Sequence, residues 1–172
     1  MASKTSFGAE EWSRVVASPM VASTAITAAD PSGLWGLLQE GMAGGWALLK
    51  AKQDTTTNAL VKAVVDDFAS GDARTVARDR VQALVKDAVQ PADLTRRAVD
   101  ELRSVASLLD AKAPDDSEAF KNWLQEIAQK AAEAAKEGGF LGFGGVAVSD
   151  AEKATLAQIS AALHAPRPTA SA

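Results

Sequence analysis

The sequence predicts an all-α fold, a single-domain bundle of six or seven helices. Three observations support this prediction: apolar residues recur at three- and four-residue steps, no stretch alternates as a half-buried strand does, and prolines and glycines fall where the periodic stretches end. A chain of 172 residues is long enough for one hydrophobic core. We expect a flexible arm at residues 1–7, the helical domain at 8–164 and a disordered tail at 165–172.

The first two helices are predicted to be short. Trp12 and Val16 belong to an apolar pattern that indicates a helix over 10–17. Pro19 lacks the amide hydrogen that the interior of a helix requires, but it suits a first turn. We therefore expect Pro19 to begin a separate helix over 20–29.

The next predicted helix, over 31–52, is rich in glycine and tryptophan. Asp30 can cap its start, and Pro31 suits its first position. Each glycine inside a helix costs roughly 1 kcal/mol relative to alanine, so we expect an offsetting gain. Gly41 and Gly45 stand four residues apart, a spacing that lets two helices approach backbone to backbone.

Three interpretations of this apolar helix remain open. It is a buried helix with a close crossing, it lines a groove for an apolar ligand or partner, or it lies on a membrane surface. Gln39 and Glu40 interrupt its apolar stretch, which is shorter than the roughly 20 residues that a membrane span requires. The sequence therefore predicts no transmembrane segment.

Polar residues at 53–58 form the clearest linker of the chain. A compact apolar face then predicts a helix that carries Leu60, Val61, Val64, Val65 and Phe68. Asp72 or Thr75 begins the next helix, and Pro91 ends it. A further helix is predicted to run to about Ala111.

The stretch 118–163 is predicted to form two helices joined by a glycine-rich loop. Asp115, Asp116 or Ser117 can cap the first of them. Lys121 falls on its polar side. Its apolar face carries Phe120, Trp123, Leu124, Ile127, Ala128, Ala131, Ala134 and Ala135.

The loop itself is too apolar for a solvated linker. Two glycines at 138–139 end the first helix, and a capping box of Ser149 and Glu152 begins the second. Between them, we expect Phe140 and Phe143 to be buried where the loop folds over the end of the bundle. No lysine or arginine lies between Lys136 and Lys153, and acidic residues open the following helix, so a phosphate site is not expected.

Residues that carry catalysis or bind metals are scarce. Cysteine is absent and His164 is the only histidine, which argues against thiolate catalysis, sulfur-based zinc sites and a Ser-His-Asp triad. Asp66 and Asp67 are adjacent on a helix and point about 100° apart, so they do not converge on one ion. A site built from carboxylates of separate helices stays open. We expect no catalytic residues, no metal and no cofactor.

Charge and the N-terminal residues bear on partners and location. The formal net charge of −4 argues against a nucleic-acid partner. Aspartates alternate with the arginines of the central region, which favours a solvated mixed-charge face over a site for an anionic partner; these arginines are Arg74, Arg78, Arg80, Arg96 and Arg97. No apolar core follows Lys4, so a secretory signal is not expected, and we predict a cytoplasmic protein.

Three runs near the C-terminus, at 123–128, 132–145 and 148–152, resemble the C-terminal signature of an uncharacterised family of small all-helical bacterial proteins. The most specific part reads EAAKEGGFLGFGG and is followed by a VS pair. Residues 10–12 and 29–33 are similar to the start of the same proteins. The resemblance implies a bacterial, cytosolic, full-length domain, and it implies no activity and no functional residues.

The sequence thus predicts a non-enzymatic helical interaction or scaffold protein, which contacts a protein partner or a second copy of itself through the helix over 31–52. The candidate contact residues are Trp35, Gly41, Met42, Gly45, Trp46, Phe140 and Phe143. The alternative is a helical bundle that binds an apolar small molecule in a pocket lined by the aromatic and methionine side chains of the same set.

Overall fold

The computed structural model describes residues 2–29, 58–137 and 148–165, except for the side chains of 134–137. These residues form six α-helices and no β-strand: α1 (Ala9–Ala29), α2 (Ala59–Ala69), α3 (Asp72–Lys86), α4 (Pro91–Lys112), α5 (Pro114–Glu137) and α6 (Asp150–Leu163). One turn of 3-10 helix, Lys4–Ser6, precedes α1. The predicted all-α bundle is confirmed.

Helix α1 is the centre of the bundle. It contacts each of the other five described helices, and its buried residues lie all around its axis rather than along one face. Several of these residues are small, such as Ala22 and Ala25, which are fully buried and let neighbouring helices pack closely. The neighbours supply the larger side chains of the core, among them Leu102, Leu109, Phe120 and Leu124.

Helix α1 continues through Pro19, so the prediction of two short helices is wrong. A proline inside a helix leaves the carbonyl four residues earlier without its amide donor. Here that carbonyl belongs to Val15, and the hydroxyl of Ser18 donates a hydrogen bond to it at 2.7 Å. The buried surroundings of α1 and this substitute donor together outweigh the local preference of proline to end a helix.

Replacing Ser18 by alanine is expected to lower the free energy of unfolding by about 1–3 kcal/mol, because the buried Val15 carbonyl then loses its donor. Urea unfolding followed by circular dichroism measures the change. The same substitution in a Pro19→Ala background serves as the control. There the amide of residue 19 can donate to Val15, so the cost of losing Ser18 should shrink; an equal cost in both backgrounds would contradict the assignment.

The ends of the remaining helices follow local sequence signals. Asn58 caps α2, since its side-chain oxygen accepts hydrogen bonds from the amides of Leu60 and Val61 at 2.9 and 3.3 Å. Gly71 precedes α3 with a φ of 92°, a left-handed conformation that favours glycine. Pro91 begins α4 in its first turn.

The predicted capping box at the start of α6 is confirmed. The Glu152 amide donates to Ser149 Oγ at 3.2 Å, and Glu152 Oε2 accepts from the Ser149 amide at 2.7 Å. Glu152 is itself buried, so this reciprocal pair is part of the packed end of the bundle.

The N-terminal residues contact the bundle at the ends of α2 and α5. Phe7 is buried in the core, and Lys4 Nζ lies 3.1 Å from the carboxylate of Asp67. The amide of Ala2 donates to Asp116 Oδ2 at 2.5 Å. The flexibility of the arm at 1–7 stays a prediction. The predicted tail lies outside the described residues from position 166 onward.

Two predictions for the start of α5 are wrong. Asp115, Asp116 or Ser117 was expected to cap the helix, but α5 already begins at Pro114. The buried Asp116 carboxylate instead accepts hydrogen bonds from the Ala2 amide and from Asn58 Nδ2, the latter at 2.8 Å. Lys121 was expected on the polar side, but it is only 2% exposed. Helix α5 packs against α1, α2, α4 and α6. More of its surface is therefore buried than the single apolar face that the sequence predicted.

Candidate functional site

Every candidate contact residue from the sequence lies outside the described residues. This applies to Trp35, Gly41, Met42, Gly45 and Trp46 in the segment between α1 and α2, and to Phe140 and Phe143 in the segment between α5 and α6. The site therefore stays a prediction.

The described residues that flank the glycine- and tryptophan-rich segment lie at opposite ends of α1. Asn58 donates a hydrogen bond to Asp116 at the start of α5. The start of α5 follows directly on the end of α4, where Lys112 pairs with Glu11 in the first turn of α1. Ala29 is the last residue of α1, eighteen residues beyond Glu11, which corresponds to about 27 Å of helix. The two flanks thus mark the full length of the central helix.

A buried polar cluster joins α4, α5 and α6. Lys121 Nζ donates to Asp110 Oδ1 at 2.6 Å and to Glu118 Oε1 at 3.3 Å. The hydroxyl of Ser117 donates to the same Asp110 oxygen at 2.5 Å. On the outer side of the cluster, His164 Nδ1 lies 3.6 Å from Glu118 Oε2. His164 therefore ends α6 beside a carboxylate of α5.

The cluster is suited to joining helices and not to attacking a substrate. Ser117 is 1% exposed, so a substrate has no access to its hydroxyl, while the Lys121 ammonium is held between two carboxylates and has no free lone pair. A nucleophile needs both a free lone pair and access for its substrate. The sequence carried one signal of this cluster: Lys121 lies on the same edge of α5 as Ala128, seven residues later, which is fully buried.

Ion pairs surround the first half of α1. Arg14 binds Glu101 of α4 through Nε and Nη2 at 2.8 and 2.6 Å, and this hydrogen bonding raises the pKa of Arg14. Arg80 of α3 pairs with Glu10. Hydrogen bonds from Lys112 and then from the Gly8 amide lower the pKa of Glu11. The pKa of this carboxyl is depressed, so its contribution to stability is present above its unfolded pKa and is lost as the pH falls through its folded pKa.

Two further properties concern only the described ranges. Within residues 2–29, 58–137 and 148–165, no three histidine, aspartate or glutamate side chains are grouped so that they could hold a metal ion. No helix in the same ranges has the length and apolar character needed to cross a membrane.

Comparison of the chain with protein-family models, with curated proteins and with solved structures gave no match.

Proposed function

We propose that this protein is a non-enzymatic helical interaction or scaffold protein, and that the segment over 31–52 carries its contact with a protein partner or with a second copy. In line with the resemblance of the C-terminal runs, the proposal takes it to be a bacterial cytoplasmic protein. The contact residues are Trp35, Gly41, Met42, Gly45 and Trp46, and the loop residues Phe140 and Phe143 offer a second surface.

The observation that supports the proposal most is the arrangement around α1. The central helix contacts all five other described helices. These helices bury it, and none of them includes residues of the segment over 31–52. The apolar and glycine residues of the segment over 31–52 are therefore the proposed candidates for a contact with another protein chain.

A leucine substitution at Gly41 tests the proposal. A bulky side chain there prevents close backbone approach, so we expect the variant to lose association with its partner or with itself while its thermal unfolding midpoint stays near that of the wild type. Analytical ultracentrifugation and calorimetry measure the two properties. Ala83→Leu on the exposed face of α3 adds the same side chain elsewhere and should change neither.

The outcome that contradicts the proposal is a Gly41→Leu protein that is strongly destabilised and whose wild-type form is a monomer without a partner. The glycines would then serve packing within one chain. Co-purification of a small apolar molecule, released on unfolding and absent from the variant, would favour the alternative function as a binder of apolar ligands.

A further inference from the structure

Most lysines and arginines of the described residues make ion pairs, and the exceptions lie on α2 and α3. Outside α2 and α3, every lysine and arginine whose side chain the structure describes makes an ion pair with a carboxylate. Several of these are pairs within one helix, such as Arg103 with Asp100 and Lys153 with Asp150. The described bases without an ion pair are Lys62 on α2 and Arg74, Arg78 and Lys86 on α3.

The three unpaired bases of α3 lie on one ridge, which we call the basic ridge: Arg74, Arg78, Gln82 and Lys86. Its members are four residues apart and all exposed. A like-charge pair at this spacing, as between Arg74 and Arg78, disfavours the helix that carries it. The unfavourable spacing suggests that the charges are compensated by something outside the described chain.

Helix α5 carries a matching ridge of opposite sign, which we call the acidic ridge: Asp115, Glu118, Asn122 and Glu126. All four are exposed, and Asp115 and Glu126 make no ion pair with a described residue. No base lies between Asp115 and Glu126 on the exposed side of α5, although Glu118 also contacts Lys121 and His164, and the exposed Lys130 follows Glu126 by four residues. At 1.5 Å per residue, the acidic ridge spans about 16 Å and the basic ridge about 18 Å.

The two ridges cannot compensate each other within one molecule. Helices α3 and α5 both pack on α1, and they make no extensive contact with each other. None of the charged residues of one ridge pairs with a residue of the other. A contact between two molecules, in contrast, can bring ridges of similar length and opposite charge together.

We propose that the basic ridge of α3 binds the acidic ridge of α5 in a second copy of the chain. Such a contact is head-to-tail, because the two copies use different surfaces, and it can extend to further copies. Small or neutral side chains at the centre of each ridge, Gln82 and Asn122, let the helices approach while the flanking charges pair. The contact is a salt-sensitive association of exposed charges, separate from the contact proposed for the segment over 31–52.

The same observations disfavour a nucleic acid as the occupant. Asp72 and Asp79 border the basic ridge and are exposed, so they would repel a continuous phosphate backbone. The chain is acidic overall, with a formal net charge of −4. A ridge of separated carboxylates fits this surface better than a polyanion does.

Charge reversal with rescue tests the proposal. One variant, R74E/R78E, makes the basic ridge acidic; the other, N122K/E126K, makes the acidic ridge basic. We expect the wild type to show concentration-dependent sedimentation at low salt, which weakens at about 0.5 M salt because the screening length falls to a few ångströms. Each variant alone should associate at least roughly tenfold more weakly, and an equimolar mixture of the two should associate again.

The control R96E/R103E makes the same change of charge at exposed arginines of α4 and should associate like the wild type. A wild type that stays monomeric at low salt, a mixture that fails to associate, or an equal loss in the control would each overturn the proposal. If R74E/R78E lost binding to an acidic partner protein but self-associated as the wild type does, the basic ridge would be the binding site for that partner. This result would overturn the proposal as well. Gly41→Leu should leave the rescue intact, so the two proposed contacts can fail independently.

Discussion

Replacing Phe120 by alanine is expected to lower the free energy of unfolding by about 3–5 kcal/mol. The side chain is fully buried in the core, and its ring meets Trp123 edge to face with a centroid distance of 5.2 Å. Removing the ring leaves a cavity between α5 and its neighbours that the surrounding helices can fill only in part. Urea unfolding followed by circular dichroism measures this loss.

An exposed valine provides the control for this prediction. Val89 lies in the turn between α3 and α4 and is 94% exposed, so Val89→Ala should change the free energy of unfolding by less than about 0.5 kcal/mol. If Phe120→Ala cost no more than Val89→Ala, α5 would not pack in the bundle as described.

Replacing Lys121 by methionine is expected to cost about 3 kcal/mol, although methionine is apolar and of similar length. The ammonium is buried beside Asp110, with 3% and 16% of the two side chains exposed. Removing the ammonium takes one positive charge away from a largely buried carboxylate, which is more costly than the loss of one surface ion pair. Denaturant unfolding at neutral pH measures the change.

Two further variants decide whether the cost arises from the lost attraction between the Lys121 ammonium and the Asp110 carboxylate. Lys130→Met makes the same substitution at an exposed lysine paired with Glu133, and it should cost less than about 1 kcal/mol. Adding Asp110→Asn to Lys121→Met removes the buried negative charge as well and should restore much of the stability. A double variant that is less stable than Lys121→Met alone would show that the cost arises from packing and not from charge.

The helices could be predicted from the sequence because their signals are local. The apolar spacing of Leu60, Val61, Val64 and Val65 predicts a face that is buried in α2. The capping box of Ser149 with Glu152 likewise needs only four residues to be recognised, and the structure has it where it was predicted.

The features that the sequence did not reveal depend on contacts between residues that are far apart in the chain. Pro19 would end an exposed helix, but the burial of α1 on all sides and the hydroxyl of Ser18 let α1 continue. Lys121 would be solvated on a helix with one neighbour, whereas four helices surround α5 and Asp110 stands opposite the ammonium. A single sequence does not show how many helices surround another helix. The local preferences of proline and lysine therefore gave wrong predictions for both residues.

The candidate contact site could be predicted only as a pattern. We selected Gly41, Gly45 and Trp46 because glycines in an apolar helix are costly. This argument does not depend on which residues surround the helix. The ridges of α3 and α5 became visible only with the ion pairs of the structure, because most of the other described bases are paired and Arg74, Arg78 and Lys86 are not.

Native mass spectrometry of the protein, purified gently from its own host, tests the central claim most directly. The account predicts a mass above that of one 17.8 kDa chain, due to a protein partner or to further copies, and it predicts that Gly41→Leu or R74E/R78E reduces this mass. A single chain without any bound protein, across concentrations and at low salt, would contradict an interaction function.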